Sequence, residues 1–117
     1  MAENYSFEVY DAEVSHLAKY PQVGENPIYP ALGLVGESGE VAEKIKKLWR
    51  NESKTRGIDY SPEQKTEIVK ELGDVLWYIA ALAREVGSSI EEVAKTNSAK
   101  LNSRGKRGVI NSSGDNR

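Results

Sequence analysis

The spacing of apolar residues along the chain predicts four helices. Apolar residues recur every three to four positions in four stretches, and this spacing is typical of helices with one buried face. The four stretches are residues 6–20, 31–51, 61–86 and 89–104. A connection with three prolines and a glycine separates the first two. No segment alternates polar and apolar residues as a half-buried strand does, so the chain is predicted to be all-α, as a four-helix bundle.

The ends of the third and fourth helices carry clear sequence signals. In the sequence SPEQ, Ser61 is a suitable N-cap, Pro62 suits the first turn and Gln64 completes a capping box. The sequence SIEE, which begins at Ser89, is a second capping box and opens the fourth helix. Gly87 is predicted to end the third helix, because glycine readily adopts the left-handed conformation found at helix C-termini.

The composition fits a small globular domain and excludes several kinds of site. A chain of 117 residues with 38% hydrophobic and 29% charged residues suits one domain, predicted to span residues 1–105 and to be followed by a polar tail at residues 106–117. The chain has no cysteine and one histidine, so thiolate and imidazole-rich metal sites are excluded. A formal charge of −2 argues against a nucleic-acid partner. With no signal-peptide pattern and no membrane-spanning apolar run, the protein is expected in the cytoplasm.

Two octets of the chain share one chemical pattern. LVGESGEV begins at Leu34 and IVKELGDV begins at Ile68, and they agree in chemical type at six of eight positions. A glycine inside a helix costs about 1 kcal/mol relative to alanine, so we expect the two matched glycines to allow close approach of the helices. Each octet contains two acids three residues apart and one such glycine: Glu37, Gly39 and Glu40 in the first, and Glu71, Gly73 and Asp74 in the second.

The helical period of about 100° per residue places each acidic pair on the same flank of the apolar stripe of its helix. If the second and third helices pack antiparallel through these stripes, the four carboxylates of Glu37, Glu40, Glu71 and Asp74 converge. Unpaired carboxylates repel one another at short range, and a hard divalent cation such as Mg²⁺ or Mn²⁺ would relieve that repulsion. The alternative is that these acids are ordinary solvated charges, but the matched acids, glycines and apolar residues favour a metal site.

The fourth helix carries a polar strip along its apolar stripe. Asn97 is predicted to lie within the inner stripe, where a buried amide needs hydrogen-bond partners. Lys100 and Arg104 follow along one flank at successive turns. Together, these three side chains suit the oxygens of a phosphate group. Two basic residues near the end of a helix also complement the helix dipole, and the residues alone leave both interpretations open.

The third helix is apolar on nearly all sides between Val75 and Ala83. A helix of this kind is buried, and a helical protein with a small core often completes it by oligomerisation. Trp77, Ala80 and Ala81 lie opposite the inner stripe of this helix. These three residues are therefore predicted to belong to a subunit interface.

The motifs together resemble the MazG-type nucleoside triphosphate pyrophosphohydrolases, which belong to the all-α NTP pyrophosphatase superfamily. GLVGESGEVAEKIKK and KELGDVLWYIAALA match the ExxE and ExxD motifs of the family, and NSAKLNSR matches its NxxKLxxR pattern at all four defined positions. The resemblance covers residues 29–105. It ends after Arg104, where GKRGVIN stands in place of the aromatic and proline residues common in the family.

The resemblance implies an enzyme that hydrolyses a (deoxy)nucleoside triphosphate to the monophosphate and pyrophosphate, for control or sanitation of the nucleotide pool. The implied cofactor is Mg²⁺, for which Mn²⁺ can substitute, and the implied assembly is a homodimer or homotetramer with sites between subunits. Glu40 is the candidate general base, because it lies farther around its helix from the packed stripe than Glu37. The implied catalytic and metal-binding residues are Glu37, Glu40, Glu71 and Asp74, and the implied substrate-binding residues are Asn97, Lys100 and Arg104.

The substrate and one different class of function are left open by these motifs. A purine deoxynucleotide such as dGTP is the expected substrate. Phosphoribosyl-ATP, dUTP and dCTP are alternatives within the same superfamily. A non-catalytic helical interaction module, with the acids as surface charge, is the alternative from another class.

Overall fold

The computed structural model describes residues 4–52 and 60–107, which contain helices and no strands. The all-α prediction is confirmed, and each helix overlaps its predicted stretch, although the first ends at Leu17 and not at residue 20. No helix in the described part of the chain is both long and apolar enough to cross a membrane. In chain order the helices are α1 (Phe7–Leu17), α2 (Ile28–Glu52), α3 (Pro62–Glu85) and α4 (Ile90–Arg107).

Helix α2 begins at Ile28, before its predicted start at residue 31. The side-chain oxygen of Asn26 accepts a hydrogen bond from the Tyr29 amide at 3.1 Å and thereby caps the first turn. Pro30 then falls in that first turn, where the missing amide hydrogen has no helical partner to lose. Pro30, which the sequence predicts to lie in the connection before α2, is therefore compatible with the first turn of the helix.

The predicted signals at both ends of α3 are confirmed. The Ser61 hydroxyl accepts a hydrogen bond from the Gln64 amide at 3.0 Å, and the Gln64 side chain accepts one from the Ser61 amide at 2.9 Å. At the other end, Gly87 has a φ of +83°, which glycine adopts without steric cost. Its amide donates to the carbonyl of Arg84 at 3.0 Å, so the chain turns out of α3 with this carbonyl satisfied.

Helix α4 begins after Ser89, whose hydroxyl accepts a hydrogen bond from the Glu92 amide at 3.1 Å. The Glu92 carboxylate accepts a hydrogen bond from the neighbouring hydroxyl of Ser88. The helix continues to Arg107, so the first two residues of the predicted tail are helical. The rest of that tail, residues 108–117, lies outside the described residues.

Helices α2 and α3 form an antiparallel pair. Gly33 of α2 faces Tyr78 of α3, and Lys44, three turns later on α2, faces Glu67 near the beginning of α3. Residue numbers therefore increase along α2 while those of the facing residues on α3 decrease. This register brings the two matched octets side by side, as the sequence predicts.

The hydrophobic core lies at the C-terminal half of α3. Ala80 and Ala81 are fully buried there and cluster with Val14 of α1 and Ile90 of α4. Asp11 ties the two outer helices together, because its carboxylate accepts a hydrogen bond from the Ile90 amide at 3.0 Å. Among the described residues, the backbones of α1 and α4 do not approach that of α2. The core is thus built by three helices, and α2 is attached to them through α3.

This packing contradicts the predicted subunit interface at Ala80 and Ala81, whereas Trp77 is half-buried. Both alanines are buried by α1 and α4 of the same chain, and Trp77 packs against the same core. An all-round apolar helix must be covered, but its sequence does not specify whether its own chain or a partner covers it.

A different apolar surface is exposed on the α2–α3 pair. The side chains of Leu32 and Val35 on α2 are 68% and 71% exposed, and Val69 and Leu72 on α3 are exposed as well. Val35 and Val69 are equivalent positions of the two octets, so they lie on the same side of the antiparallel pair. The described part of the chain therefore leaves this apolar surface uncovered.

Candidate active site

Three of the four predicted acids come together between α2 and α3. One carboxylate oxygen from each of Glu37, Glu71 and Asp74 lies within 4.8 Å of the others. Glu71 and Asp74 reach the group from one side of α3, because residues three apart in a helix are neighbours on its surface. Glu37 and Glu71 are half-buried, and Asp74 is exposed. We call this group the acidic triad.

Glu37 faces the negative charges of the other acids in this group. Burial raises the pKa of Glu37, and the negative charges of Asp74, Glu71 and Glu40 raise it further. A hydrogen bond to Asp74, which only the protonated form of Glu37 can donate, raises this pKa as well. A bound cation would relieve the repulsion that contributes to this raised pKa.

Glu40 lies beside the acidic triad and outside it. It is exposed, and it lines a surface cleft of about 250 Å³ together with Lys44 and Glu71. Its charge nevertheless raises the pKa of Glu37. Three residues along a helix correspond to a rotation of about −60°, which carries Glu40 away from α3. The structure therefore brings three of the predicted carboxylates together and leaves the fourth at the margin.

Lys44 places a positive charge next to the acidic triad. Its Nζ lies 3.8 Å from an oxygen of Glu71 and 3.9 Å from an oxygen of Glu67. Both distances are at the long limit for an ion pair, so one ammonium group is divided between two carboxylates. The charge of Lys44 partly offsets that of the triad through Glu71.

The donor set of the acidic triad fits a hard divalent cation. Three carboxylates supply oxygen ligands, which Mg²⁺ and Mn²⁺ prefer over other donors. Oxygens that lie within 4.8 Å of one another need only small side-chain rotations to share one ion. The raised pKa of Glu37 agrees with this fit, because a bound cation would relieve the repulsion that contributes to it.

Tyr78 and Gly33 border the acidic triad, and the sequence motifs did not indicate either of them. The ring of Tyr78 lies against Gly33, where an added Cβ would overlap it. Burial, the phenol of Tyr29 and the charges of Glu37 and Asp74 raise the pKa of Tyr78. A signal was present in the spacing, since Tyr78 follows Asp74 by one helical turn and Gly33 precedes Glu37 by one turn.

The prediction that Gly39 and Gly73 allow close helix approach is wrong. A Cβ added at either position would meet nothing within 4 Å. Two residues along a helix correspond to a rotation of about 200°, so a glycine two positions after an inward-facing acid points outward. The close approach of α2 and α3 occurs at Gly33 instead.

The polar strip of α4 is not arranged as predicted. Asn97 is exposed, Lys100 is half-buried and Arg104 is buried. Helix α4 docks on the core through its first turn at Ile90, which leaves residues 95–99 exposed on all sides. Asn97 therefore does not lie in a packed stripe, and the prediction that it is buried is wrong.

Two residues of the strip line a cleft of their own. Asn97 and Lys100 line a cleft of about 360 Å³, whose other walls come from residues 88–96. Among the described residues, no member of the acidic triad lines this cleft, and α4 does not approach α2. Among the described residues, Asn97 and Lys100 therefore line a different cleft from Glu40 and Glu71.

Comparison with known proteins places this geometry in a family. The model of the MazG nucleotide pyrophosphohydrolase domain matches residues 29–109. The chain belongs to the MazG nucleotide pyrophosphohydrolase family. The match includes nearly all of α2 and all of α3 and α4, and therefore both the acidic triad and the strip. Membership supports a nucleotide pyrophosphohydrolase activity in general terms, with a dependence on divalent metal ions that suits the triad.

Two relatives extend the comparison. The Gene 37 protein of Mycobacterium phage L5 is 41% identical over 115 residues, which cover 94% of this chain and 97% of the phage protein. The protein described as Uncharacterized protein YvdC of Bacillus subtilis (strain 168) is 36% identical over 72 residues, or 61% of this chain and 68% of that protein. No solved structure matches this chain significantly. Neither relative's name states a substrate, so the substrate has to be argued from the site.

Proposed function

We propose that this MazG-family protein hydrolyses a (deoxy)nucleoside triphosphate to the nucleoside monophosphate and pyrophosphate in a Mg²⁺-dependent reaction. The convergence of the Glu37, Glu71 and Asp74 carboxylates within 4.8 Å carries this proposal. A triphosphate is a polyanion and needs a cation between itself and these carboxylates. We assign the reaction to control or sanitation of the nucleotide pool in the cytoplasm.

In this proposal, the residues of the acidic triad hold the metal ion, and Glu40 is the general base. The ion, when bound, offsets negative charge on the phosphate oxygens. Glu40 suits the role of base because it is exposed and lies beside the triad without belonging to it. It accepts a proton from a water molecule, whose oxygen attacks phosphorus while the bond to the bridging oxygen breaks and pyrophosphate leaves.

Asn97, Lys100 and Arg104 bind the nucleotide in this proposal. The cationic groups of Lys100 and Arg104 match phosphate oxygens, and the exposed amide of Asn97 is accessible for a hydrogen bond. Because α4 does not approach α2 within one chain, we assign the strip of one subunit to the acids of another in a homodimer or homotetramer. The exposed side chains of Leu32 and Val35 support such an assembly.

Pyrophosphate release tests the proposed reaction. The protein is incubated with Mg²⁺ and, in turn, each ribo- and deoxyribonucleoside triphosphate, and a purine deoxynucleotide such as dGTP is expected to react fastest. Preference for dUTP, dCTP or phosphoribosyl-ATP would reassign the substrate within the superfamily. No release from any of them would reject the enzyme and favour a helical interaction module.

Mixing two inactive variants tests whether the site is shared between subunits. Glu71→Gln removes one acid and Lys100→Ala removes one strip residue, so each pure variant is expected to be inactive. Co-expression places an intact strip and an intact acidic triad in the same oligomer, and partial activity is expected to return. If the strip served its own chain, the mixture would stay inactive.

A further inference from the structure

Lys44 lies between the acidic triad and the neighbouring cleft. Its Nζ contacts Glu71, a member of the triad, at 3.8 Å, and Glu67 at 3.9 Å. The same side chain lines the cleft of about 250 Å³, where Glu40 and Lys47 are also found. Lys44 is therefore positioned to contact either the acids or a ligand that enters the cleft.

The ion pairs of Lys44 differ from an ordinary surface pair on the same helix. Lys46 is 61% exposed and holds Glu43 at 2.9 Å. Lys44 is only 33% exposed, and its two carboxylate partners are 3.8 and 3.9 Å away. An ion pair with a short N–O distance holds the ammonium group in one place. An ammonium group that makes two long ion pairs can change partners at little cost in free energy.

Glu71 belongs both to the ion pair of Lys44 and to the group of oxygens that could hold a metal. A cation bound by the triad would repel the ammonium group of Lys44 and would use the same Glu71 carboxylate. Lys44 would then turn toward the cleft, where a phosphate group held at the triad supplies negative charge. The ammonium group of Lys44 would thus pair with Glu71 before the metal binds and with the phosphate group afterwards.

We propose that Lys44 is an exchangeable cation of this site. In the metal-free protein it neutralises Glu71, and in the loaded protein it contacts the phosphate oxygens of the triphosphate. The second half rests on the proposed function, whereas the first half needs only a divalent cation. The consequence is that removing the charge of Lys44 strengthens the binding of metal and weakens the binding of nucleotide.

Binding of Mn²⁺ to the metal-free protein, followed by electron paramagnetic resonance without nucleotide, tests the first half. Lys44→Met keeps the length of the side chain and removes its charge, and we expect Mn²⁺ to bind roughly three- to tenfold more tightly. Lys46→Met is the matched control, because Lys46 lies on the same helix and pairs with Glu43. Its Mn²⁺ affinity is expected to equal that of the wild type.

Calorimetry with the α,β-imido analogue of dGTP at saturating Mg²⁺ tests the second half. This analogue cannot be cleaved between the α and β phosphorus atoms, so binding is measured without turnover. Lys44→Met is expected to bind it about tenfold more weakly, whereas Lys44→Arg keeps the charge and is expected to restore most of the affinity. Circular dichroism of each variant checks that its helices are intact.

The two measurements fail in distinguishable ways. An Mn²⁺ affinity that is unchanged or weaker in Lys44→Met would overturn the competition for Glu71. Unchanged binding of the analogue would overturn the contact with phosphate. A wild-type protein that binds Mn²⁺ and no triphosphate would reject the proposed function together with this second half, and the Mn²⁺ result would still decide the first.

Discussion

The two halves of α3 use their side chains in opposite ways. Residues 75–85 form the core with α1 and α4, and Ala80 and Ala81 are fully buried there. Residues 62–74 leave apolar side chains such as Leu72 exposed and direct two acids into the triad. One half of the helix is covered by its own chain, and the other leaves charge and apolar surface available for partners and ligands.

Glu85, at the C-terminal end of α3, illustrates a carboxylate that serves the fold. It accepts hydrogen bonds from the amides of Gly24 and Asn26, both at 2.8 Å, and from the hydroxyl of Tyr20. The bond from Tyr20 and those from the two amides lower the pKa of Glu85. Burial and this carboxylate raise the pKa of Tyr20 to about 12. Glu85 thereby fastens the connection between α1 and α2 to the end of α3.

Glu37 has the opposite environment. Burial and the charges of neighbouring carboxylates raise its pKa, whereas hydrogen-bond donors lower that of Glu85. A carboxylate that stabilises the fold receives donors from its own chain. Glu37 lies among like charges instead, and a bound cation would relieve that repulsion.

The largest expected effect comes from removing a charge at the site half of α3. Glu71→Gln and Asp74→Asn should each reduce kcat/KM for pyrophosphate release by at least about a hundredfold. Because each change also removes repulsion within the acidic triad, the melting temperature of the metal-free protein should not fall. Glu63→Gln, at an exposed acid in the first turn of α3, should retain activity. Activity that survives both changes at the triad would reject the site.

The next effect should come from the core half of the helix and should appear in stability. Glu85→Ala leaves the amides of Gly24 and Asn26 without their acceptor, so we expect the melting temperature to fall on the order of 5 °C. Activity measured well below the transition should persist. Glu91→Ala breaks an exposed ion pair with Lys95 and should barely change the melting temperature. Equal losses in the two variants would show that the bonds to Glu85 contribute little.

A smaller effect is expected at the glycines. A Cβ at Gly73 would meet nothing within 4 Å, so Gly73→Ala should raise the free energy of unfolding by about 1 kcal/mol through helix propensity alone. Gly33→Ala should lower it, because the new methyl group would overlap the ring of Tyr78. Urea denaturation measures both changes. If Gly73→Ala were the destabilising change, residues 62–74 of α3 would be more closely packed than the comparison with residues 75–85 implies.

The smallest effect should be the dependence of stability on pH, measured by urea denaturation with a chelator present. The folded-state pKa of Glu37 lies above its ordinary value of 4.5, so its ionisation costs stability at neutral pH and costs none well below pH 4.5. Glu37→Gln should therefore be more stable than the wild type at pH 7, with the difference vanishing in acid. Equal stability at pH 7 would indicate that the repulsion at Glu37 is small.

Glu85 should show the reverse sign. Its folded-state pKa lies below the ordinary value of 4.5, so its contribution to stability is complete above that value and is lost as the pH falls through the lowered pKa. The loss of free energy of unfolding in Glu85→Gln, relative to the wild type, should accordingly be largest near neutral pH and should shrink in acid. If this loss of free energy of unfolding did not change with pH, the effect of the substitution would come from packing and not from the charge of Glu85.

Most of the secondary structure and part of the site followed from local sequence. The capping box at Ser61 and the turn at Gly87 depend on residues within a few positions of one another, so their sequence signals were sufficient. The placement of acids on one flank follows from helical period alone, and it correctly grouped Glu37 with Glu71 and Asp74. It did not separate Glu40 from them, since a 60° difference in direction matters only once the partner helix is in place.

The sequence by itself therefore determined the four helices, both ends of α3 and the matched acidic flanks, because each depends on interactions within one or two helical turns. Only the tertiary structure decided that α1 and α4 cover Ala80 and Ala81, that the close approach occurs at Gly33, and that Asn97 and Glu71 line different clefts. Those features depend on the register and contact point of helices far apart in the chain. The periodicity of any single helix carries no information about them.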